Sequence, residues 1–377
     1  MTAVKESAVR SALSRVEDPE IGRPITELGM VKSIEINGND VAVVLYLTIA
    51  GCPMKSTLQS NTRAALEEVE GIGTISVEMD VMSDEQRKEL KAKLRGGQAE
   101  PEIPFAKPES TTRVFAVASG KGGVGKSSMT VNLAAALADR GLKVGIVDAD
   151  IYGHSVPGLL GSDAGPTVLD DEMLLPPIAH GIKYISIGQF IDGNAPVVWR
   201  GPMLHRAIQQ FLADVFWGDL DVLLLDLPPG TGDVALSVAQ LIPNAELLVV
   251  TTPQAAAAEV AERAGSISQQ TRQRVAGVIE NMAAMVLPDG STMDIFGAGG
   301  GEAVAERLTA LLGHDVPLLG SIPLDPTLRA DGDSGTPVVL ADPECTAAQA
   351  IREVANKLAV RSTSLAGKPL GLGVTRS

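Results

Sequence analysis

The sequence predicts a doubly wound, mostly parallel α/β domain preceded by a small α+β domain, and three observations carry that expectation. From Thr112 onward, short runs rich in Val, Leu and Ile alternate with helical segments, the βαβ pattern of a parallel sheet covered on both faces. Before Arg95 the pattern is instead helix, hairpin, helix and strand. Between the two lies Gly96–Thr111, GGQAEPEIPFAKPEST, where Gly, Pro and charge dominate and no periodicity survives. The expected organisation is therefore a small domain over 1–95, a linker over 96–111, a larger domain over 112–362 and a polar tail over 363–377.

In the small domain, Ser7–Val16 carries Val9, Leu13 and Val16 at helical spacing. Met30–Ile36 and Val41–Thr48 alternate in the β manner around Asn37-Gly38-Asn39-Asp40, a hairpin-turn composition. Leu58–Val69 reads as a helix and Gly73–Met79 as a third strand. In the large domain the expected strands are Val114–Ala118, Lys143–Val147, Lys183–Ile187, Val222–Asp226, Leu247–Thr251, Ala276–Ile279 and Leu318–Ile322. Helices are expected over Ser127–Arg140, Gly232–Leu241, Ala255–Arg272, Gly300–Leu312 and Thr346–Val360. No internal repeat is visible.

Composition narrows the function. The chain has 377 residues and a formal charge of −15. The first hundred residues hold 12 basic against 16 acidic side chains, and the remainder 19 against 30, so neither part has the basic excess that phosphate-backbone binding needs. No nucleic-acid partner is expected. The longest apolar stretches, Val41–Ala50, Leu220–Leu227 and Leu247–Thr252, fall well short of the roughly 18–20 residues of a membrane span. The N-terminus has no apolar core of a signal peptide, and two cysteines, Cys52 and Cys345, are too few for a disulfide framework. A cytoplasmic protein with no membrane partner is the expectation.

The chemistry concentrates in Gly120-Lys121-Gly122-Gly123-Val124-Gly125-Lys126-Ser127, which matches G-x-x-x-x-G-K-[ST] between an expected strand and an expected helix. Glycines let such a loop turn its N–H groups onto a phosphate, and the helix N-terminus following at Ser127 and Ser128 adds favourable dipole charge. Lys126 would neutralise the β- and γ-phosphates of ATP, and Ser127 would ligate Mg²⁺. Further along, Asp148-Ala149-Asp150 ends one strand and Asp226 ends another, before Leu227-Pro228-Pro229-Gly230-Thr231-Gly232. Asp150 is the candidate for orienting the attacking water, and Asp148 for supporting the metal's water shell. Asp226 would hold Mg²⁺ through water, and Gly230 would offer an N–H to the γ-phosphate. Acidic residues at strand ends are common caps, but in this order behind a P-loop they form one site.

Lys121, directly after the first glycine, makes KGGVGKS a deviant Walker A sequence. It resembles the P-loop class that includes the nitrogenase iron protein and the Min and Par ATPases, in which this early lysine reaches the partner's phosphates across a nucleotide-sandwiched dimer. The resemblance implies a homodimer; taken alone, Lys121 could equally be a solvated surface lysine. Asn281 stands where that class reads adenine, and Ile322-Pro323-Leu324-Asp325 resembles the segment beside the base. DADIYGHSVPGLLG (Asp148–Gly161), WRGPMLHRAI (Trp199–Ile208), DLPPGTGD (Asp226–Asp233), TTPQ (Thr251–Gln254), ENM (Glu280–Met282) and IFGAGGGEAVAERL (Ile295–Leu308) closely resemble the Mrp family. These are ApbC-like ATPases that carry iron–sulfur clusters to apoproteins. Asp18-Pro19-Glu20, Glu27-Leu28-Gly29-Met30 and Gly51-Cys52-Pro53 look like the small SufT-like domain fused ahead of them. The resemblance implies ATP and Mg²⁺ as cofactors, an iron–sulfur cluster as cargo, and apoproteins and assembly factors as partners.

One departure matters. Family members usually place Cys-x-x-Cys in the loop after Asn281, where two subunits bridge one cluster, but Met282–Asp294 here has no cysteine. Clusters need thiolates, normally four, and methionine is no ordinary substitute. Cys52, in a Gly-Cys-Pro turn, is the remaining candidate iron–sulfur ligand, with Asp18 and Glu20 near it by family analogy alone; the alternative is a small buried residue. Cys345 reads as an incidental helix-start residue, and His154, His180, His205 and His314 lack metal spacing. The competing function is a nucleotide-gated dimeric switch or scaffold of the Min or Par type without a cluster.

Overall fold

A computed structural model describes residues 4–49, 54–94, 102–107, 109–151, 153–169, 173–190, 201–230, 233–254, 257–287 and 289–359. The N-terminal unit runs α1 (Glu6–Leu13), β1 (Val31–Asn37), β2 (Asp40–Leu47), α2 (Lys55–Glu67), β3 (Ile75–Val81) and α3 (Asp84–Leu94). β1 and β2 pair antiparallel with Asn37 opposite Asp40, so the expected turn closes over Gly38 and Asn39, and β3 adds parallel to β2. α3 escapes sequence reading because it is mostly charged, and only Leu90 and Leu94 are buried on it. Two apolar residues make no period.

The second unit continues through β4 (Arg113–Ser119), α4 (Lys126–Asp139), β5 (Val144–Asp148), α5 (Val156–Leu159), β6 (Thr167–Leu169), β7 (Met173–Leu175), β8 (Ile178–Ala179) and β9 (Ile182–Ser186). Then come α6 (Gly201–Ala213), β10 (Val222–Asp226), α7 (Asp233–Leu241), β11 (Glu246–Thr251), α8 (Ala257–Thr271), β12 (Val275–Ala283), β13 (Met285–Val286) and β14 (Thr292–Met293). α9 (Gly300–Leu312), β15 (Leu318–Pro323), α10 (Pro326–Asp333), α11 (Val338–Ala341) and α12 (Thr346–Ala359) complete it. The main sheet has the order β15-β12-β11-β4-β10-β5-β9-β8, with only the edge pair β8–β9 antiparallel. Along β4, Val114, Ala116 and Ala118 enter one core while Phe115 and Val117 enter the other. That double burial is why its strands read as continuous apolar runs.

Every expected strand of the sheet is present, most with ends shifted by a single residue, and the ends of β9 and β12 have a physical reason. Ile187 opens a 3₁₀ turn, Ile187–Phe190, and does not extend β9. β12 runs on past Ile279 to Ala283: Glu280 keeps the ladder, opposite Thr251 and Ser321, while it and Asn281, both buried and polar, end the apolar pattern. Within the expected linker, Pro104–Ala106 forms a 3₁₀ turn whose Phe105 lies in the α/β core, and its carbonyl accepts from Asn244 at 3.3 Å. A single phenylalanine amid Pro and charge leaves no pattern to read. The expected tail, 363–377, lies outside the described residues.

The two units share a core. Leu169, Met173 and Leu175 of the β6–β7 hairpin, with Phe216, pack among Ile21, Ile25 and Leu45 of the N-terminal unit. Beside this contact Lys183 lies over the Phe216 ring and donates to the Trp217 carbonyl at 3.2 Å. Burial pulls its ammonium down to about 8, against the opposing pull of Asp18. Asp18 is itself pushed up by burial, although it accepts N–H bonds from Glu20 and Ile21. Leu175→Ala should therefore loosen the N-terminal sheet although Leu175 belongs to the other unit. We expect a loss of about 2–5 kcal/mol, read as reduced hydrogen-exchange protection across β1–β3. Unchanged protection there would mean that the shared core does not couple the units.

Candidate nucleotide site

Three neighbouring strands, β4, β10 and β5, end together, and Asp226 stands in register with both Val117 and Asp148. Ligands of such sheets bind beyond these carboxyl ends. After Ser119 the chain turns through Gly120–Gly125 into α4, with Gly123 at φ +78° and Gly125 at φ +80°. The loop, residues Lys121–Ser128, lines a cavity of about 330 Å³ with Asp150, Ser155 and Pro229 across from it.

Inside, one carboxylate gathers the polar groups. Asp226, fully buried, sits 2.8 Å from Lys126 Nζ and accepts from Ser127 Oγ at 2.5 Å and Thr130 Oγ1 at 2.8 Å. Asp150 faces the same ammonium at 3.6 Å and ties back its own loop through the Gly153 N–H at 3.1 Å. Lys126, Ser127, Asp150 and Asp226 are thus brought together as expected. Thr130 was missed, although its place one helical turn after Lys126 was the available signal.

Asp148 is turned into its own loop. Its oxygens accept from the Asp150 N–H at 3.1 Å, the Val156 N–H at 3.3 Å and Ser186 Oγ at 2.9 Å. Burial, and then the Asp226 charge, push its carboxyl up to about 7. Gly230 also differs from expectation: its N–H donates to the Ser119 carbonyl at 2.9 Å and so faces the loop's own backbone. The residues of the cradle fit Mg²⁺ with a nucleotide phosphate: the donors are hard oxygens from Ser127 and Asp226, and the Gly123 Cα faces open space.

Asn281 lies within β12, not after it. Its Nδ2 donates to the Val124 carbonyl at 2.9 Å, while its buried Oδ1 has no partner among the described residues. Pro323 ends the adjacent β15, opposite Ala283, so the two base-side candidates share one edge of the site. Lys121 turns outward, and its Nζ donates to Gln254 Oε1 at 2.8 Å. Gly120 lies against Val260, and its carbonyl accepts from Arg263 on α8. Neither Gln254 nor Arg263 stood out as a site residue, since their contacts join positions over 130 residues apart.

Cys52 lies outside the described residues. Cys345 is half-buried at the start of α12, its sulfur accepts the Ala348 N–H at 3.4 Å, and burial pushes its thiol up, in keeping with an unreactive residue. Among the described residues no three His, Cys, Asp or Glu side chains gather as a metal site. The loop after Asn281 forms the small β13–β14 hairpin with Val286, Met293 and Ile295 exposed.

Residues 110–359 match the ParA family model, described as NUBPL iron-transfer P-loop NTPase. The chain belongs to this family. Residues 6–79 match a second model, an iron–sulfur cluster assembly protein. Curated relatives named iron–sulfur cluster carrier protein include one from Mycobacterium tuberculosis, 64% identical over 98% of this chain and 97% of that protein. Another, from Deinococcus radiodurans, is 44% identical over 93% and 94%. Among solved structures, a nucleotide-binding protein in complex with ADP from Archaeoglobus fulgidus is 36% identical with a TM-score of 0.53, covering 70% of this chain and 95% of that one. The family fits the expectation drawn from the motifs, and so does the doubly wound sheet of a P-loop NTPase. Among the described residues, no helix is long and apolar enough to cross a membrane.

Proposed function

We propose that this chain is a slow, partner-coupled, cytoplasmic ATPase that binds iron–sulfur clusters and transfers them to apoproteins, working as a homodimer. The observation that carries the reading is the convergence of Lys126, Ser127, Thr130 and Asp150 on the Asp226 end of β10, beneath a glycine cradle. In this reading Gly120–Ser128 wraps the phosphates and Lys126 leaves Asp226 for the β- and γ-oxygens. Ser127 and Asp226 would hold Mg²⁺, which supplies charge neutralisation at the γ-phosphate. Asp150 orients the attacking water, Asp148 stiffens that loop and the water shell behind it, and Gly230 swings its N–H from Ser119 to the phosphate. Asn281 reads the base, since an exocyclic amino group would give its Oδ1 the missing donor. Pro323 packs beside it. Lys121 reaches the partner's phosphates.

The cluster is cargo. With no cysteine in 282–294, the 1–95 unit would supply Cys52 from each protomer, completed by ligands from an assembly factor or client. The same missing cysteines favour the second reading, a nucleotide-gated switch or scaffold without cargo. Anaerobic reconstitution separates the two. We expect iron and sulfide bound per dimer of the full chain and lost in Cys52→Ser. No cluster on either protein leaves only the switch.

A further inference from the structure

We propose that Gln254 is a positioning residue that parks Lys121 within its own protomer, so that the lysine must be released before it can act across a dimer. The inference deepens the dimeric ATPase reading and rests on it. The two lysines of the P-loop point opposite ways. Lys126 goes inward to two carboxylates, whereas Lys121 goes outward to the amide oxygen of Gln254 at 2.8 Å. The backbone of Lys121 is also held, its carbonyl accepting from Ser119 Oγ at 3.0 Å.

Gln254 stands on a rigid post. It follows the buried Thr251 and Thr252 at the end of β11. There Gly300 abuts the chain so closely that a Cβ on it would lie 2.7 Å from the Thr252 carbonyl oxygen and the Pro253 carbonyl carbon. The start of α9 is fixed in turn, because the Gly301 N–H donates to Glu280 at 2.8 Å and Glu280 accepts from Ser321 at 2.7 Å. The post therefore fixes the backbone from which the Gln254 amide reaches Lys121.

The residue type suits a reversible hold. A neutral amide accepts an ammonium hydrogen bond without a full ion pair, so a phosphate, with its charge, outcompetes it. A carboxylate at the same place would compete far better. The pair is exposed, and exposed charge pairs shift equilibria by roughly two- to fivefold.

The test uses the full chain with Mg²⁺ and a non-hydrolysable ATP analogue, with the dimer dissociation constant measured by sedimentation. Gln254→Glu should weaken dimerisation roughly two- to fivefold, and the effect should vanish near 1 M salt, where the Debye length is about 3 Å. Gln254→Ala should tighten the dimer about twofold. In a Lys121→Ala background Gln254→Glu should change nothing further. All variants should melt with the parent, which a merely structural role for Gln254 would not allow. A dimer weakened by Gln254→Ala would place the contact between protomers and overturn the parking role. Lys121→Ala losing the dimer while both Gln254 variants match the parent would overturn it too, leaving the dimeric reading intact. Lys121→Ala dimerising like the parent would overturn both.

Discussion

Lys126→Ala is expected to weaken nucleotide binding roughly 10- to 100-fold and to lower the melting temperature of the chain in the same step. Its ammonium is 6% exposed and sits 2.8 Å from a carboxylate with no exposure, so the substitution leaves Asp226 charged, buried and short of its cation. Breaking a buried pair from one side costs about 3–5 kcal/mol. At roughly 2–4 °C per kcal/mol for a domain of this size, the melting temperature should fall by on the order of 10 °C. The hydrogen bonds from Ser127 and Thr130 to Asp226 soften the loss, since they still donate to it. Nucleotide affinity falls for a separate reason: a charge-assisted hydrogen bond is worth about 1.5–3 kcal/mol, or roughly 10- to 100-fold in affinity. Titration calorimetry with Mg·ATP and scanning calorimetry of the same samples would measure both. Affinity within threefold of the parent would remove Lys126 from the phosphate site.

Gly125→Ala should damage binding at least as much, and for reasons visible in two places at once. The backbone there is left-handed, φ +80°, which costs a non-glycine residue about 1–2 kcal/mol. A Cβ would also run into Nδ2 of Asn281, the atom that holds the Val124 carbonyl. Either Asn281 gives way, freeing the loop, or the loop shifts off the start of α4. Both misplace the N–H groups that would face a phosphate, and binding should fall by about 100-fold or more, the scale of two lost hydrogen bonds. Gly123→Ala is the comparison, because its φ is +78° but a Cβ there meets nothing within 4 Å. It should cost less stability than Gly125→Ala. Adding Asn281→Ala to Gly125→Ala should restore part of the lost melting temperature. No restoration would mean that strain alone, not the Asn281 contact, makes glycine necessary.

Much of this molecule is local and was therefore legible. The strand spacing follows from double burial, which writes a continuous apolar run wherever a strand is central. The P-loop follows from glycines and a lysine whose roles depend on neighbours in the chain. Reading broke down where a polar residue stays inside a strand, as at Glu280 and Asn281, and where a helix is solvated over most of its surface, as at Asp84–Leu94. The hydrogen-bond partners of Asp148 and Gly230 were illegible for a related reason. Residue type says that a carboxylate or an N–H is available, but not which neighbour takes it.

By itself, the sequence determined the order of the two units, the alternation of strand and helix, and the place of the glycine-rich loop between a strand and a helix. Each of these depends on residues within a few positions of one another, where covalent geometry and burial period leave few choices. Only the tertiary structure decided that Lys121 meets Gln254, that Arg263 holds Gly120, and that the β6–β7 pair completes the core of the N-terminal unit. Those contacts join segments far apart in the chain. They arise from how packed layers stack, and a one-dimensional pattern carries no record of that.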